Sequence, residues 1–151
     1  METLGYDSLV IASYIEKKCK DNKFYDLNNT KIQKLLYCCY GSVLAIKNKR
    51  LCLEYPRAWQ YGPVFPKVFK YFKKNKTFNK ISPPEFQTDI KSILDMVIEF
   101  FGKFNSGQLS DWSHEEGSPW HSVIKLQGKK FGSFIPDEDI KDYFEHYVIE
   151  K

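Results

Sequence analysis

The chain has 151 residues, 17% of them aromatic, and its 23 Lys and Arg against 19 Asp and Glu give a formal net charge of +4. That length suits one ordinary domain, so we expect a single compact domain over residues 1–151 with a core rich in large side chains. The charge bias is too weak for a nucleic-acid signature; the start lacks the basic segment and apolar run of an export signal, and no stretch approaches the roughly 18 apolar residues of a membrane span, so a cytoplasmic location with no membrane contact is expected.

Asp7 or Ser8 is placed to cap a first helix running to about Lys20, with Leu9, Val10, Ala12 and Ile15 apolar and Lys17, Lys18 and Lys20 at its negative end. Asp21-Asn22 stops it. In the next helix Ile32, Leu35, Leu36, Cys39, Tyr40, Val43 and Leu44 recur at the spacing of a core-facing stripe, which predicts the central helix of the fold. Asn28, Asn29 and Thr30 are candidate caps, and Thr30 with Gln33 has the spacing of a capping box. Lys47 to Arg50 is a polar turn, and Leu51 to Tyr55 reads as extended.

The chain then enters Trp59-Gln60-Tyr61-Gly62-Pro63-Val64-Phe65-Pro66, where a Gly-Pro break forces a turn and Trp59 and Tyr61 are expected to bury broad apolar surface. This loop is the predicted packing hub. A helix follows to near Lys76, with Val64, Phe65, Val68, Phe69 and Phe72 on one face and Lys67, Lys70 and Lys74 on the other. Asn79 to Pro84 is a loop.

Ile90, Ile93, Leu94, Val97, Ile98 and Phe101 mark another core-facing helix, ended by Gly102. Asn105 or Ser106 caps a short helix carrying Leu109 and Trp112; Ser118-Pro119 starts one to about Leu126, ended by Gly128. Phe131 to Ile135 is a candidate strand for pairing with residues 53 to 58. Asp137 is expected to cap a last helix in which Ile140, Tyr143, Phe144, Tyr147 and Val148 face inward. The fold class is therefore mainly α, a compact helical fold of about six to seven helices with at most a small two-stranded β element.

Catalytic and metal chemistry find little support. His114, Glu115, Glu116 and His121 are ligand and acid-base types, but Pro119 lies between the histidines and the helical His-x-x-x-His spacing is absent. Cys19, Cys38, Cys39 and Cys52 form no Cys-x-x-Cys pair and read as reduced, partly buried thiols. No Gly-x-Ser-x-Gly elbow or glycine-rich phosphate loop is present, so no enzyme activity, cofactor or metal is expected. The Lys67, Lys70 and Lys74 face, joined by Lys73, leaves a nucleic-acid-binding regulator as the alternative to protein binding.

Three segments in order carry a resemblance: Lys31-Ile32-Gln33-Lys34-Leu35-Leu36-Tyr37; Ala58-Trp59-Gln60-Tyr61-Gly62-Pro63-Val64 with Pro66; and Leu109-Ser110, Ser113-His114-Glu115 and Pro119-Trp120. Over nearly its whole length the chain resembles the Panacea domain of SocA-like antitoxins, with Ser113 where that family often has threonine. The resemblance implies an antitoxin of a bacterial or prophage toxin-antitoxin system. Its implied partner is a cognate protein toxin, encoded by a neighbouring gene and neutralised by binding, either in a complex or by delivery to a protease. Trp59, Tyr61, Gly62, Pro63, His114, Glu115, Pro119 and Trp120 are the candidate partner-binding or motif residues, with toxin contact and fold glue as the two roles open to them.

Overall fold

A computed structural model describes residues 1–149. The fold is mainly α, as expected. In chain order the elements are β1 (Thr3–Tyr6), α1 (Ser8–Asp21), α2 (Asn29–Lys47), β2 (Arg50–Cys52), β3 (Arg57–Trp59), β4 (Gly62–Val64), α3 (Pro66–Asn75), α4 (Thr88–Phe101), α5 (Ser106–Ser113), α6 (Pro119–His121) and α7 (Asp137–Tyr147). β1 pairs with β2 in parallel through Thr3 and Arg50, and Tyr6 and Cys52; β3 and β4 form an antiparallel hairpin.

α2 is the central helix, and it is more than a stripe. Every residue from Lys31 to Leu44 is buried, because α1, α4, α5 and α7 pack around it and β2 and β4 cover the rest. A helix enclosed on all sides has no solvent face for its polar residues, so Lys31, Gln33 and Lys34 are interior too. Gly41 permits the close approach of α7: a Cβ there would overlap the Phe144 ring. Phe144 also packs edge-on against Tyr37 at 5.4 Å.

Several expected boundaries change for identifiable reasons. Val64 is not helical; it pairs with Arg57 in the hairpin, and the helix starts at Pro66. Thr30 and Gln33 form no capping box: Asn28 Oδ1 accepts the Lys31 amide at 2.8 Å, and the Gln33 carboxamide reaches elsewhere. Asp137 does not cap α7, because Pro136 holds the N-cap position and the Asp137 carboxylate accepts from the Tyr40 hydroxyl at 2.5 Å and from Arg50 Nε at 3.0 Å. Tyr147 points outward, 77% exposed, one turn beyond the buried Phe144. α6 lasts three residues and continues as a π-helical turn over Ser122–Leu126. The expected strand near Phe134 narrows to a single antiparallel bridge with Arg57, flanked by bonds from the Ala58 amide to Ser133 O at 2.8 Å and from the Ile135 amide to Pro56 O at 3.2 Å.

The sequence pattern also missed a buried carboxylate. Glu16 on α1 accepts from the Thr77 hydroxyl at 2.9 Å and the Phe78 amide at 3.0 Å, and so places the buried Phe78 ring beneath the loop after α3. Gly41→Ala should destabilise the protein by about 1–3 kcal/mol through overpacking against Phe144. Thermal and denaturant unfolding check this; an unchanged melting temperature would show that α7 can shift without loss.

Candidate functional site

The three sequence segments that stand apart in the chain converge on the β3–β4 hairpin. Gly62 has φ +116°, a conformation that side-chain-bearing residues rarely adopt, and a Cβ at this position would overlap Ser113 Oγ and approach Lys34 Cε to 3.2 Å. Glycine thus lets the turn lie directly on α2 and α5. From below, Lys34 Nζ donates to Pro63 O at 3.0 Å, and Gln33 Oε1 accepts the Phe65 amide at 2.7 Å. From the side, Ser110 Oγ donates to Tyr61 O at 2.8 Å, and Ser113 Oγ donates to Ser110 O at 2.8 Å.

α6 closes the cluster. Ser118 caps it by accepting the His121 amide at 3.1 Å, and Pro119 supplies the first helical position, where a missing amide costs nothing. Trp120 is then aimed at β3, its indole Nε1 donating to Trp59 O at 2.6 Å. His114 stands edge-on to Trp120 with ring centroids 5.2 Å apart, and its Nδ1 lies 2.5 Å from Ser110 O. Trp59 packs edge-on against Phe69 of α3 at 5.0 Å.

These contacts join Trp59, Tyr61, Gly62, Pro63, His114 and Trp120, with Pro119 next to Trp120 and Glu115 next to His114 in the chain, and the eight candidate residues divide by exposure. Gly62, Pro63, Pro119 and Trp120 are buried, and Trp59 and His114 are partly covered. Glu115 is exposed, and Tyr61 is 64% exposed rather than buried as expected, because the tight turn directs its ring outward while its carbonyl is held by Ser110. The sequence reading quoted Gln33, Lys34, Ser110 and Ser113 within the motif segments but did not name them as site residues. For the first two the available signal was their position beside Ile32 and Leu35 in a helix with apolar residues on nearly every side.

The arrangement offers a rigid polar-anchored turn with an aromatic and a carboxylate at its surface. Among the described residues no group of His, Cys, Asp and Glu is placed to hold a metal ion. None of their helices is long and apolar enough to cross a membrane. On α3, Lys67 Nζ is bonded to Asp7 at 2.8 Å, which offsets part of the basic stripe.

Residues 32–121 match the family model described as Antitoxin SocA-like, Panacea domain. The matched segment contains the hairpin, α5 and α6. The chain is also 32% identical to Antitoxin SocA of Caulobacter vibrioides (strain NA1000 / CB15N) over 136 residues, covering 78% of this chain and 72% of that protein. No solved structure matches.

Two kinds of buried titratable group act on stability with opposite sign. Burial pushes the Cys19 and Cys52 thiols up to about 11 and about 12, from an ordinary 9.0. The stability they contribute is complete below pH 9 and is lost as pH rises through those folded values. Burial lowers the Lys34 ammonium from 10.5 to about 8, so between those values the unfolded chain holds the extra proton and stability rises with pH. Lys34→Met should therefore lose stability faster than the parent, by about 1 kcal/mol between about pH 7.5 and about pH 9. Denaturant unfolding at both pH values measures the difference; parallel pH profiles would show that Lys34 is not a depressed, buried cation.

Proposed function

We propose, for a chain that belongs to the SocA-like, Panacea-domain antitoxin family, that it neutralises a cognate protein toxin by direct binding in the cytoplasm. Family membership supports the antitoxin role. The observation that carries the binding mode is the convergence of the motif segments on one hairpin whose carbonyls and amides are pinned from α2 and α5, leaving Tyr61 exposed on a fixed turn.

A pre-organised aromatic on a rigid turn loses little conformational freedom on contact, which favours it as an interface anchor. Glu115 and the partly exposed His114 at the end of α5 extend the same face. Trp120, Pro119, Pro63 and Gly62 support that face from beneath, and Trp59 links it to α3. The toxin is expected from a neighbouring gene.

Expression of the neighbouring gene alone should arrest growth, and co-expression with this protein should restore it. Harmless expression, or toxicity unaffected by co-expression, would overturn the antitoxin reading. Toxin abundance in rescued cells separates two modes: a persisting toxin is held in an inhibited complex, and a vanishing one is handed to a protease. Tyr61→Ala should weaken toxin binding about tenfold or more with an unchanged melting temperature, as for loss of an aromatic interface anchor. Unaltered binding by titration calorimetry would remove Tyr61 from the contact.

A further inference from the structure

The face formed by α4, α5 and α7 carries a row of aromatic rings whose two ends the core leaves open. From Phe100 the row runs to Phe101 at 4.9 Å, to Trp112 at 5.4 Å, to Tyr143 at 6.4 Å and to Tyr147 at 5.3 Å. Its inner members brace the core, since Trp112 and Tyr143 both touch the buried Phe144. Its two ends are open: Phe100 is 53% exposed and Tyr147 77% exposed. Between α4 and α5 the rings border a groove of about 300 Å³, with Phe104 and Leu109 completing its walls.

The charge around this row is opposite to that of the whole chain. From Glu99 to Glu116 four acidic residues accompany one lysine, in a protein whose net charge is +4; on α7, Asp137 is taken up by Tyr40 and Arg50 and Glu145 by Lys141, which leaves Asp142 as the exposed carboxylate next to Tyr143. Glu99, Asp111 and Asp142 are exposed, and each immediately precedes a ring of the row in the chain; Asp142 also lies 3.2 Å from His146 Nδ1, and Glu115 is exposed at the end of α5. Glu115 connects this face to the hairpin cluster, because it follows His114 and its charge, after burial, helps push the Tyr143 phenol up. Lys103, the lysine of the first segment, lies over the Phe100 ring at 4.6 Å and the Phe104 ring at 5.5 Å.

We propose that this aromatic row is a docking surface for a basic amphipathic segment of the cognate toxin, whose apolar side chains enter the groove while its lysines and arginines meet the acidic rim. Charge complementarity selects this occupant: an acidic partner would be repelled by the rim, and a neutral apolar one would draw no attraction from its carboxylates. The inference rests on the antitoxin reading and names where and by what chemistry the toxin is held.

The test uses the full chain and the product of the neighbouring gene, with growth rescue and calorimetric affinity as readouts. Phe100→Asp and Tyr147→Ser should each weaken binding at least tenfold without changing the melting temperature, since both side chains are exposed. The double charge reversal Glu99→Lys with Asp111→Lys, which leaves every ring in place, should weaken binding and flatten its salt dependence. If the parent protein does not rescue growth, the antitoxin reading itself fails, and this proposal with it. Should the parent rescue while all these variants bind at parental affinity, the docking surface is refuted and the antitoxin reading stands. A dimer of the free protein that Phe100→Asp dissolves would assign the row to a second copy of the chain and likewise overturn the proposal.

Discussion

The structure depends on three polar side chains of α2, Lys31, Gln33 and Lys34, being committed to main-chain atoms of other segments. Lys31 Nζ bonds Gly102 O and Asp26, each at 2.6 Å, Gln33 accepts the Phe65 amide, and Lys34 donates to Pro63 O. Each group lies in the interior, where an unpaired donor or acceptor costs about 1–3 kcal/mol, so the helix and the segments it grips must form together. Lys31 gains further from its position, because its charge meets the carbonyl end of α4, the negative pole of that helix. One end of α2 thus joins the end of α4 to the β3–β4 hairpin.

That clamp explains why the hairpin is an anchored turn. Its backbone is held by α2 from one side and α5 from another, and the Trp120 indole locks the end of β3. Rigidity of this kind has a structural cost, visible in the positive φ of Gly62 and in a lysine whose ammonium is depressed by burial. What is obtained is a fixed placement for Tyr61 and for the end of α5, and a surface fixed in this way would lose little entropy if a partner bound to it.

The remaining surface is polarised in the same sense. α3 presents a lysine-rich face, while α5 and α7 present carboxylates around an aromatic row. Because α5 ends at the hairpin cluster and also packs on α2, the row and the hairpin share a support and lie on one continuous scaffold. A partner spanning both would rest on elements held by the same central helix.

Much of the helical layout was legible from the sequence because apolar periodicity reports a local property, the face each helix must bury. The stripes of α2 and α4, a cap at Asn105 or Ser106 and the Ser118-Pro119 start of α6 all follow from residue type and spacing, and the structure assigns the cap to Asn105. The family motifs were legible as sequence too. Only the tertiary structure decided that Lys31, Gln33 and Lys34 point inward, that Thr3–Tyr6 pairs with Arg50–Cys52, and that Asp137 serves Tyr40 and Arg50 instead of capping α7. It likewise turned Tyr61 outward. These outcomes depend on groups far apart in the chain, such as Lys34 and Pro63, separated by 29 positions, or Tyr40 and Asp137, separated by 97. No local pattern encodes which distant backbone atom will be left needing a partner, and that need is what sets the direction of a buried polar side chain.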